Sequence, residues 1–222
     1  MLPLNLLRDP AAPLKVLCLG AHSDDIEIGC GGTILQLLSG YSNVDVRWIV
    51  FSSNAEREKE ARASADLFLK KAKHKKVMVK KFRDGFFPYD GAKVKESLEK
   101  IKKDQDLNPD LIFTHYRDDR HQDHRVISDL TWNTFRRHLI LEYEIPKYDG
   151  DMGSPNWFVP LKPKVCERKI KYICEMFKTQ QVKGWLTEDT FLALMRLRGV
   201  ECQAAEKYAE AFYCRKLTLA TE

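Results

Sequence analysis

The stretch LKVLCLGAHSDD, residues 14–25, decides the fold, because an apolar run ends abruptly in imidazole and carboxylate side chains. A run of this kind predicts a strand from Leu14 to Gly20 that is buried on both faces, as strands of parallel sheets are. His22, Asp24 and Asp25 then follow the carboxyl end of that strand. Because ligands bind at this edge of open α/β sheets, the stretch predicts a sheet with a candidate site beside it.

A second polar cluster comes much later in the chain and again follows a short apolar run, Leu111-Ile112-Phe113. The polar residues after this run are His115, Asp118, Asp119, His121, Asp123 and His124. If both runs are strands of one parallel sheet, their carboxyl ends meet at one edge. The sequence therefore predicts one crevice that both clusters share.

Apolar patterns of strand and helix type alternate along most of the chain. Strands are predicted at Leu14 to Gly20, Val44 to Phe51, Lys76 to Phe82, Asp110 to Thr114, Leu141 to Ile145, Trp157 to Leu161 and Tyr208 to Leu217. Helices are predicted at Thr33 to Ser39, Glu56 to Lys71, Val94 to Lys103, Val126 to Leu139, Lys164 to Lys178 and Thr187 to Val200. This alternation predicts an α/β, Rossmann-like three-layer sandwich. It has a mostly parallel sheet, helices on both faces and a more irregular C-terminal part, in a single domain over residues 1–222.

Composition excludes some classes of function. The 37 basic and 32 acidic residues are spread along the chain and give a net charge of +5, unlike the concentrated basic surface of a nucleic-acid-binding protein. No apolar run reaches the ~20 residues that cross a bilayer. Met1 to Arg8 lacks the basic start of a signal peptide. The six cysteines form no Cys-x-x-Cys pair and fit a reducing compartment. We expect a cytoplasmic protein that inserts into no membrane; a homo-oligomer is compatible with the sequence.

The two clusters contain the ligand types of a catalytic metal site. Such a zinc site uses three protein ligands and keeps one position open, and His22, Asp25 and His124 would supply that set. Imidazole and carboxylate also suit iron and other divalent metals, so the ligand types leave the metal open. Asp24 is the natural general base for a water molecule there. His121 could stabilise an oxyanion or protonate a leaving amine, with Asp123 or Asp119 holding its ring.

Structural roles are the alternatives for these and other residues. His22 could be a hydrogen-bonded histidine at a strand end and Asp24 a helix cap, but the pairing of His-x-x-Asp with His-x-Asp-His favours a metal site.

Gly29, Gly31 and Gly32 do not have the spacing of a dinucleotide-binding loop, so close packing in a turn is favoured. The only dense run of basic residues consists of Lys70, Lys71, Lys73, Lys75, Lys76, Lys80 and Lys81. Such a run is typical of a solvated helix end and edge strand, and attraction of an anionic substrate is the alternative. The loop from Pro146 to Asn156, with Trp157 beside it, could border a pocket.

Ala21-His22-Ser23-Asp24-Asp25 and His121-Gln122-Asp123-His124 resemble the two hallmark motifs of the PIG-L / LmbE-like family of metal-dependent N-deacetylases, Ala-His-x-Asp-Asp and His-x-Asp-His. Ser23 stands where family members often have proline. Weaker similarities extend the resemblance over nearly the whole chain, at Arg57-Glu58-Lys59-Glu60, Lys178-Thr179-Gln180 and Tyr208-Ala209-Glu210-Ala211-Phe212.

The resemblance implies a role for each matching residue. His22, Asp25 and His124 would be the metal ligands and Asp24 the general base. His121 would be the oxyanion or leaving-group partner, with Asp123 as its modulator. Arg57 would bind the substrate. The family's membrane-anchored members carry a hydrophobic segment that this sequence does not show, so it resembles the soluble bacterial type.

These observations together predict a zinc-dependent hydrolase that removes acetyl from the amine of an N-acetylated amino sugar of the GlcNAc type. Its substrate would belong to a glycoconjugate or sugar-nucleotide pathway, and Fe²⁺ or another divalent metal could replace Zn²⁺. Three alternatives stay open at this point: a sugar-binding module with a non-catalytic metal, a hydrolase of another amide, and a non-haem iron oxygenase.

Overall fold

The computed structural model describes residues 12–104 and 106–218, which contain seven strands and six α-helices. The strands are β1 (Leu14–Gly20), β2 (Val44–Ser52), β3 (His74–Phe82), β4 (Leu111–His115), β5 (Leu139–Tyr143), β6 (Trp157–Leu161) and β7 (Tyr208–Cys214). The helices are α1 (Asp25–Gly40), α2 (Ala55–Phe68), α3 (Gly91–Lys102), α4 (Gln122–Thr134), α5 (Pro163–Met176) and α6 (Glu188–Glu201). All the strands join one sheet in the order β3-β2-β1-β4-β5-β7-β6.

The sheet is mostly parallel, as predicted. The five strands from β3 to β5 in the sheet order run parallel, and β7 pairs antiparallel with both β5 and β6. Helices cover both faces: α1, α2, α5 and α6 contact one another on one side, and α3 packs against α4 on the other. The three-layer α/β architecture with a less regular C-terminal part is confirmed.

The central strands are apolar on both sides, which explains their continuous hydrophobic sequences. Val16 and Cys18 of β1 belong to the core under α1, whereas Leu17 and Leu19 belong to the core under α3 and α4. Next to β1, the chain moves to β2 and β3 on one side and returns to β4 and β5 on the other. Loops leave the sheet in opposite directions at such a reversal of strand order and open a crevice at the carboxyl ends of β1 and β4.

Helix α1 begins at Asp25 rather than at Thr33, so the predicted start was wrong. Glycine disfavours helices by about 1 kcal/mol relative to alanine, which is why Gly29, Gly31 and Gly32 indicated a turn. Tertiary packing overrides that preference here. A Cβ at Gly29 would lie 2.1 Å from the Tyr143 ring, and one at Gly31 would lie 2.5 Å from Phe68. The glycines are required for close packing, as expected, but inside a helix.

Helix α4 also differs from the prediction, since it begins at Gln122 instead of Val126 and ends at Thr134 instead of Leu139. His121 is its N-cap residue, so the His-x-Asp-His motif forms the first turn of a helix. At the other end, Leu139 pairs with Leu111 of β4 and therefore starts a strand. The last strand, β7, ends at Cys214, three residues before the predicted Leu217.

A buried ion pair holds α1 against the C-terminal part of the chain. The Lys169 ammonium of α5 lies 2.6 Å from the Glu210 carboxylate of β7, and it donates to the Ile28 carbonyl at 2.6 Å. The Glu210 carboxylate accepts from the amides of Gly32 and Thr33 at 2.8 and 2.6 Å. In a regular α-helix, the Gly32 amide donates to the Ile28 carbonyl. Here the carbonyl contacts the Lys169 ammonium and the amide contacts the Glu210 carboxylate.

Within the described residues, no helix is both long enough and apolar enough to cross a membrane. All six cysteines carry free thiols. The segment Met1 to Arg8, for which the sequence predicts no signal peptide, lies outside the described residues.

Replacement of Gly29 by alanine is expected to destabilise the fold by about 3 kcal/mol, because the added methyl overlaps the buried Tyr143 ring. The measurement is chemical denaturation. Gly40→Ala in the same helix is the matched control: its Cβ meets nothing within 4 Å, so stability should equal that of the parent or rise by up to about 1 kcal/mol. Equal stability of the two variants would contradict the packing role of Gly29.

Glu210→Gln is expected to lower the free energy of unfolding by about 3–5 kcal/mol, because Lys169 would be left as a buried charge without its carboxylate. Glu175→Gln is the control, since Glu175 pairs with Lys171 on the exposed surface of α5 and its loss should cost about 0–1 kcal/mol. A similar loss for both variants in thermal denaturation would argue against the buried pair.

Candidate metal centre and active site

The two polar clusters meet between the carboxyl ends of β1 and β4, as the sequence predicts. His22 lies in the short turn after β1, and Asp24 and Asp25 begin helix α1. His124 lies in the first turn of α4, behind its N-cap His121. These five helix-end and loop positions place imidazoles and carboxylates around one point at the sheet edge.

The three predicted metal ligands converge. The Nδ1 atom of His22 lies 3.1 Å from Nε2 of His124 and 3.4 Å from a carboxylate oxygen of Asp25. The second oxygen of Asp25 lies 3.5 Å from Nε2 of His124. A tetrahedral zinc ion with bonds of about 2.0–2.2 Å separates its ligand atoms by about 3.4 Å. The donor set and its spacing therefore fit a divalent metal; the ligand roles themselves stay a prediction.

A carboxylate orients the His124 ring from behind. Asp119 Oδ2 lies 2.9 Å from Nδ1 of His124, which directs Nε2 toward His22 and Asp25. The same carboxylate lies 3.0 Å from the Lys147 ammonium. Hydrogen-bonded carboxylates of this kind fix the tautomer and orientation of metal-binding histidines.

Asp123 contacts a different histidine from the one that the sequence suggests. Its carboxylate accepts from the amides of Gly85 and Phe87 at 2.6 and 3.1 Å and lies 3.2 Å from Nε2 of His22. The expectation that Asp123 or Asp119 would hold the His121 ring differs from this arrangement. His121 is a helix N-cap, so its ring folds back and its Nδ1 accepts from the Asp123 amide at 3.3 Å.

Asp24 and Arg57 form a pair beside the three converging atoms. The Arg57 guanidinium, at the start of α2, donates to the Asp24 carboxylate at 3.0 Å. Its other nitrogen lies 3.5 Å from Asp84. Asn54 caps α2 by accepting from the amides of Glu56 and Arg57, which fixes this end of the helix over the site. The structure thus brings Arg57, Asp24 and the candidate ligands together.

Burial and charge shift the protonation of the centre. Burial lowers the pKa of His124 to about 3, which leaves its lone pair available to a metal. Burial alone would lower the pKa of His22, but the neighbouring carboxylates, Asp25 foremost, raise this pKa well above its usual value. Burial also raises the pKa of Asp24 against the opposing charge of Arg57. Burial acts against ionisation of Asp25 too, but His124, His115 and His22 hold its pKa well below the usual range.

Two residues of this centre received no role from the sequence. His115, noted in the second cluster, is fully buried, stacks on His124 at 3.9 Å between ring centroids and lies 3.2 Å from Asp25. Asp84 follows β3 and lies 3.1 Å from Nε2 of His22. The signal for Asp84 was its place before Gly85, in a turn after the carboxyl end of a third parallel strand.

An open cavity of about 710 Å³ lies in front of the centre. Lys147, Tyr148 and Asp149 line one side, so the predicted loop from Pro146 to Asn156 does border the pocket. The aromatic residues of the lining are Tyr148 and Trp185, whereas Trp157 begins β6 and packs against the core. The dense lysines after α2 include Lys75, Lys76 and Lys81, which pair with surface carboxylates, in keeping with a solvated surface.

The fold and this centre together define an α/β protein with a candidate hydrolytic metal site at the sheet edge. A model of the family described as PIG-L, GlcNAc-PI de-N-acetylase, matches residues 17–135, which is more than half of the chain. The chain belongs to this family, and the resemblance stated from its two motifs is confirmed.

Solved structures of related fold include deacetylases and another enzyme. An N,N'-diacetylchitobiose deacetylase from Pyrococcus horikoshii is 24% identical, with a TM-score of 0.68 over 95% of this chain and 88% of that one. The zinc-inhibited form of teicoplanin deacetylase Orf2 is 14% identical, with a TM-score of 0.68 over 90% and 97%. GalB, the 4-carboxy-2-hydroxymuconate hydratase from Pseudomonas putida KT2440, is 15% identical, with a TM-score of 0.69 over 94% and 99%. These likenesses show the fold.

We expect graded losses of metal affinity in variants of the centre. His124→Ala removes a converging donor and should weaken Zn²⁺ binding by the most. Asp119→Asn leaves the donor but weakens its support, so about a 10–100-fold loss is expected. His74→Ala, on the exposed β3 surface, is the control and should bind as the parent does. Calorimetric titration of metal-stripped protein measures all three, and an unchanged affinity of His124→Ala would contradict the ligand assignment.

Proposed function

We propose that the protein is a zinc-dependent N-deacetylase that hydrolyses the acetamido group of an N-acetylated amino sugar of the GlcNAc type. The observation that carries this proposal is the convergence of His22, Asp25 and His124 within 3.1–3.5 Å, with Asp24 and His121 lining the same cavity. Family membership supports the reaction class. Fe²⁺ or another divalent ion would suit the same donor set.

Asp24 is the general base of this proposal. A divalent metal bound by the three donors would polarise the acetyl oxygen and lower the pKa of a water molecule. The Asp24 carboxylate takes a proton as the water oxygen bonds to the carbonyl carbon. When the carbon–nitrogen bond breaks, the proton passes from Asp24 to the departing nitrogen, which leaves acetate and a free amine. Arg57 holds the Asp24 carboxylate in position at 3.0 Å throughout.

His121 is assigned to the oxygen of the scissile carbonyl. Burial lowers the pKa of its imidazole, so the ring is neutral. Because Nδ1 accepts from the Asp123 amide, the ring carries its hydrogen on Nε2. That N–H is the donor available to a substrate in the cavity, where it would stabilise charge developing on the carbonyl oxygen. Asp123 acts on this chemistry through His22, whose ring it contacts.

The substrate is a small molecule, and we propose that the protein acts on it in the cytoplasm. Free thiols at all six cysteines support a reducing compartment. The cavity is open in front of the centre, so a small molecule such as a sugar can reach the candidate ligands. Arg57, which lines the cavity, is proposed to contact the sugar as well as Asp24.

The direct test is release of primary amine and acetate from a panel of N-acetylglucosamine derivatives by metal-stripped protein, with and without added Zn²⁺. Release that requires added metal is the expected result. Stoichiometric metal binding without release from any derivative would contradict the proposal, and hydration of an unsaturated acid instead would move the protein to the chemistry of its hydratase structural neighbour.

Asp24→Asn is expected to retain Zn²⁺ and to lose about 10²–10⁴-fold in turnover, because the amide cannot accept the proton from water. Asp66→Asn, on the exposed side of α2, is the matched control and should keep full activity. Metal content by atomic emission and kcat by amine release are measured on the same samples. If Asp24→Asn binds Zn²⁺ and keeps the parental kcat, Asp24 is not the general base.

A further inference from the structure

One wall of the cavity is formed by two loops that are tied together. One loop follows β5 and contributes Lys147 and Tyr148, and the other precedes α6 and contributes Lys183 and Trp185. The Tyr148 hydroxyl accepts from the Gly184 amide at 3.0 Å, which joins the loops at the mouth of the cavity. This wall therefore has a defined shape that a substrate would meet beyond its reacting group.

Most charged residues in the lining already have an ion-pair partner. Arg57 pairs with Asp24 and Asp84, and the Lys147 ammonium lies 3.0 Å from Asp119 and 2.5 Å from Asp151. Asp25 lies among the histidines of the centre. Two charged lining residues are left without an ion pair among residues 12–104 and 106–218: the half-buried Lys183 and the exposed Asp149.

Lys183 is held at the cavity rather than extended into solvent. Its ammonium lies 5.5 Å from the centroid of the Trp185 ring, within the range of a cation–π interaction. The ammonium thus belongs to the lining of the cavity that the candidate ligands share.

We propose that Lys183 is a specificity-determining residue that binds a phosphate group carried by the amino sugar. This inference rests on the proposed deacetylase function and narrows its substrate to phosphorylated or phosphodiester-linked sugars. A lysine ammonium is a compact point charge that suits phosphate. The Lys183 ammonium has no ion pair within the described residues, and a bound phosphate would supply one. With the acetamido group at the ligand end, the phosphate lies at the tied loops, beside Tyr148 and Trp185.

The experiment compares GlcNAc α-1-phosphate with the uncharged methyl glycoside of GlcNAc. The parent is expected to have at least about a tenfold higher kcat/KM for the phosphate, since one charge-assisted contact contributes that much or more. Lys183→Met should reduce the ratio of the two kcat/KM values toward one, and Lys183→Arg should restore most of it. Lys171→Met, an exposed lysine on α5, is the matched control and should leave the ratio unchanged.

Binding measurements keep this inference separate from the deacetylase proposal. Calorimetry with Zn²⁺-loaded Asp24→Asn protein gives the affinities of both sugars without turnover. A phosphate preference that Lys183→Met abolishes supports the subsite even where the parent releases no amine, in which case only the proposed reaction fails. Equal affinity for the two sugars, no measurable binding of either, or an equal loss for both in Lys183→Met would overturn the subsite.

Discussion

The contact between the Tyr143 ring and the backbone of α1 at Gly29 is the packing on which the rest of the site depends. The missing side chain at Gly29 lets the ring lie where a Cβ would otherwise be, so α1 approaches the sheet closely. The Tyr143 hydroxyl donates to the Leu19 carbonyl at 2.7 Å and lies 3.3 Å from the His115 ring. One aromatic residue of β5 therefore fixes the end of β1, the start of α1 and a histidine of β4 relative to one another. Asp25, the first residue of α1, takes its place from this contact.

Buried charge in this protein is balanced locally, and the balance differs between the middle and the beginning of α1. In the middle of the helix, Lys169 and Glu210 contact the backbone groups that the glycine-rich segment presents. At its beginning, Asp24 and Asp25 face a guanidinium and three imidazoles. The first arrangement is closed, because each charge has its partner. The second converges on an accessible cavity, and that accessibility separates a structural ion pair from a site that can take a cation and a substrate.

The sequence predicts the fold class and the meeting of the two clusters because both follow from strong local patterns. Continuous apolar runs predict buried parallel strands, and parallel strands end at one edge, so His22 and His124 had to come close. The start of α1 could not be predicted, because the reason for Gly29 is a ring on β5 that is remote in sequence. Asp123 was paired with the wrong imidazole ring for a similar reason: its partners, the amides of Gly85 and Phe87, lie in the loop after β3. Lys183 gave no signal, since a loop lysine is unremarkable until its neighbours are known.

The Asp119 carboxylate links the candidate metal centre to the loops that shape the cavity. It contacts the His124 ring and the Lys147 ammonium with one oxygen and accepts from the His121 amide with the other. Lys147 in turn pairs with Asp151, whose carboxylate accepts from the Arg120 amide at 2.6 Å. The orientation of a proposed ligand and the position of the substrate-facing loop thus rest on the same carboxylate. Because that carboxylate is buried, its contacts are shielded from salt and water, and a displacement of the loop would cost interactions at the centre itself.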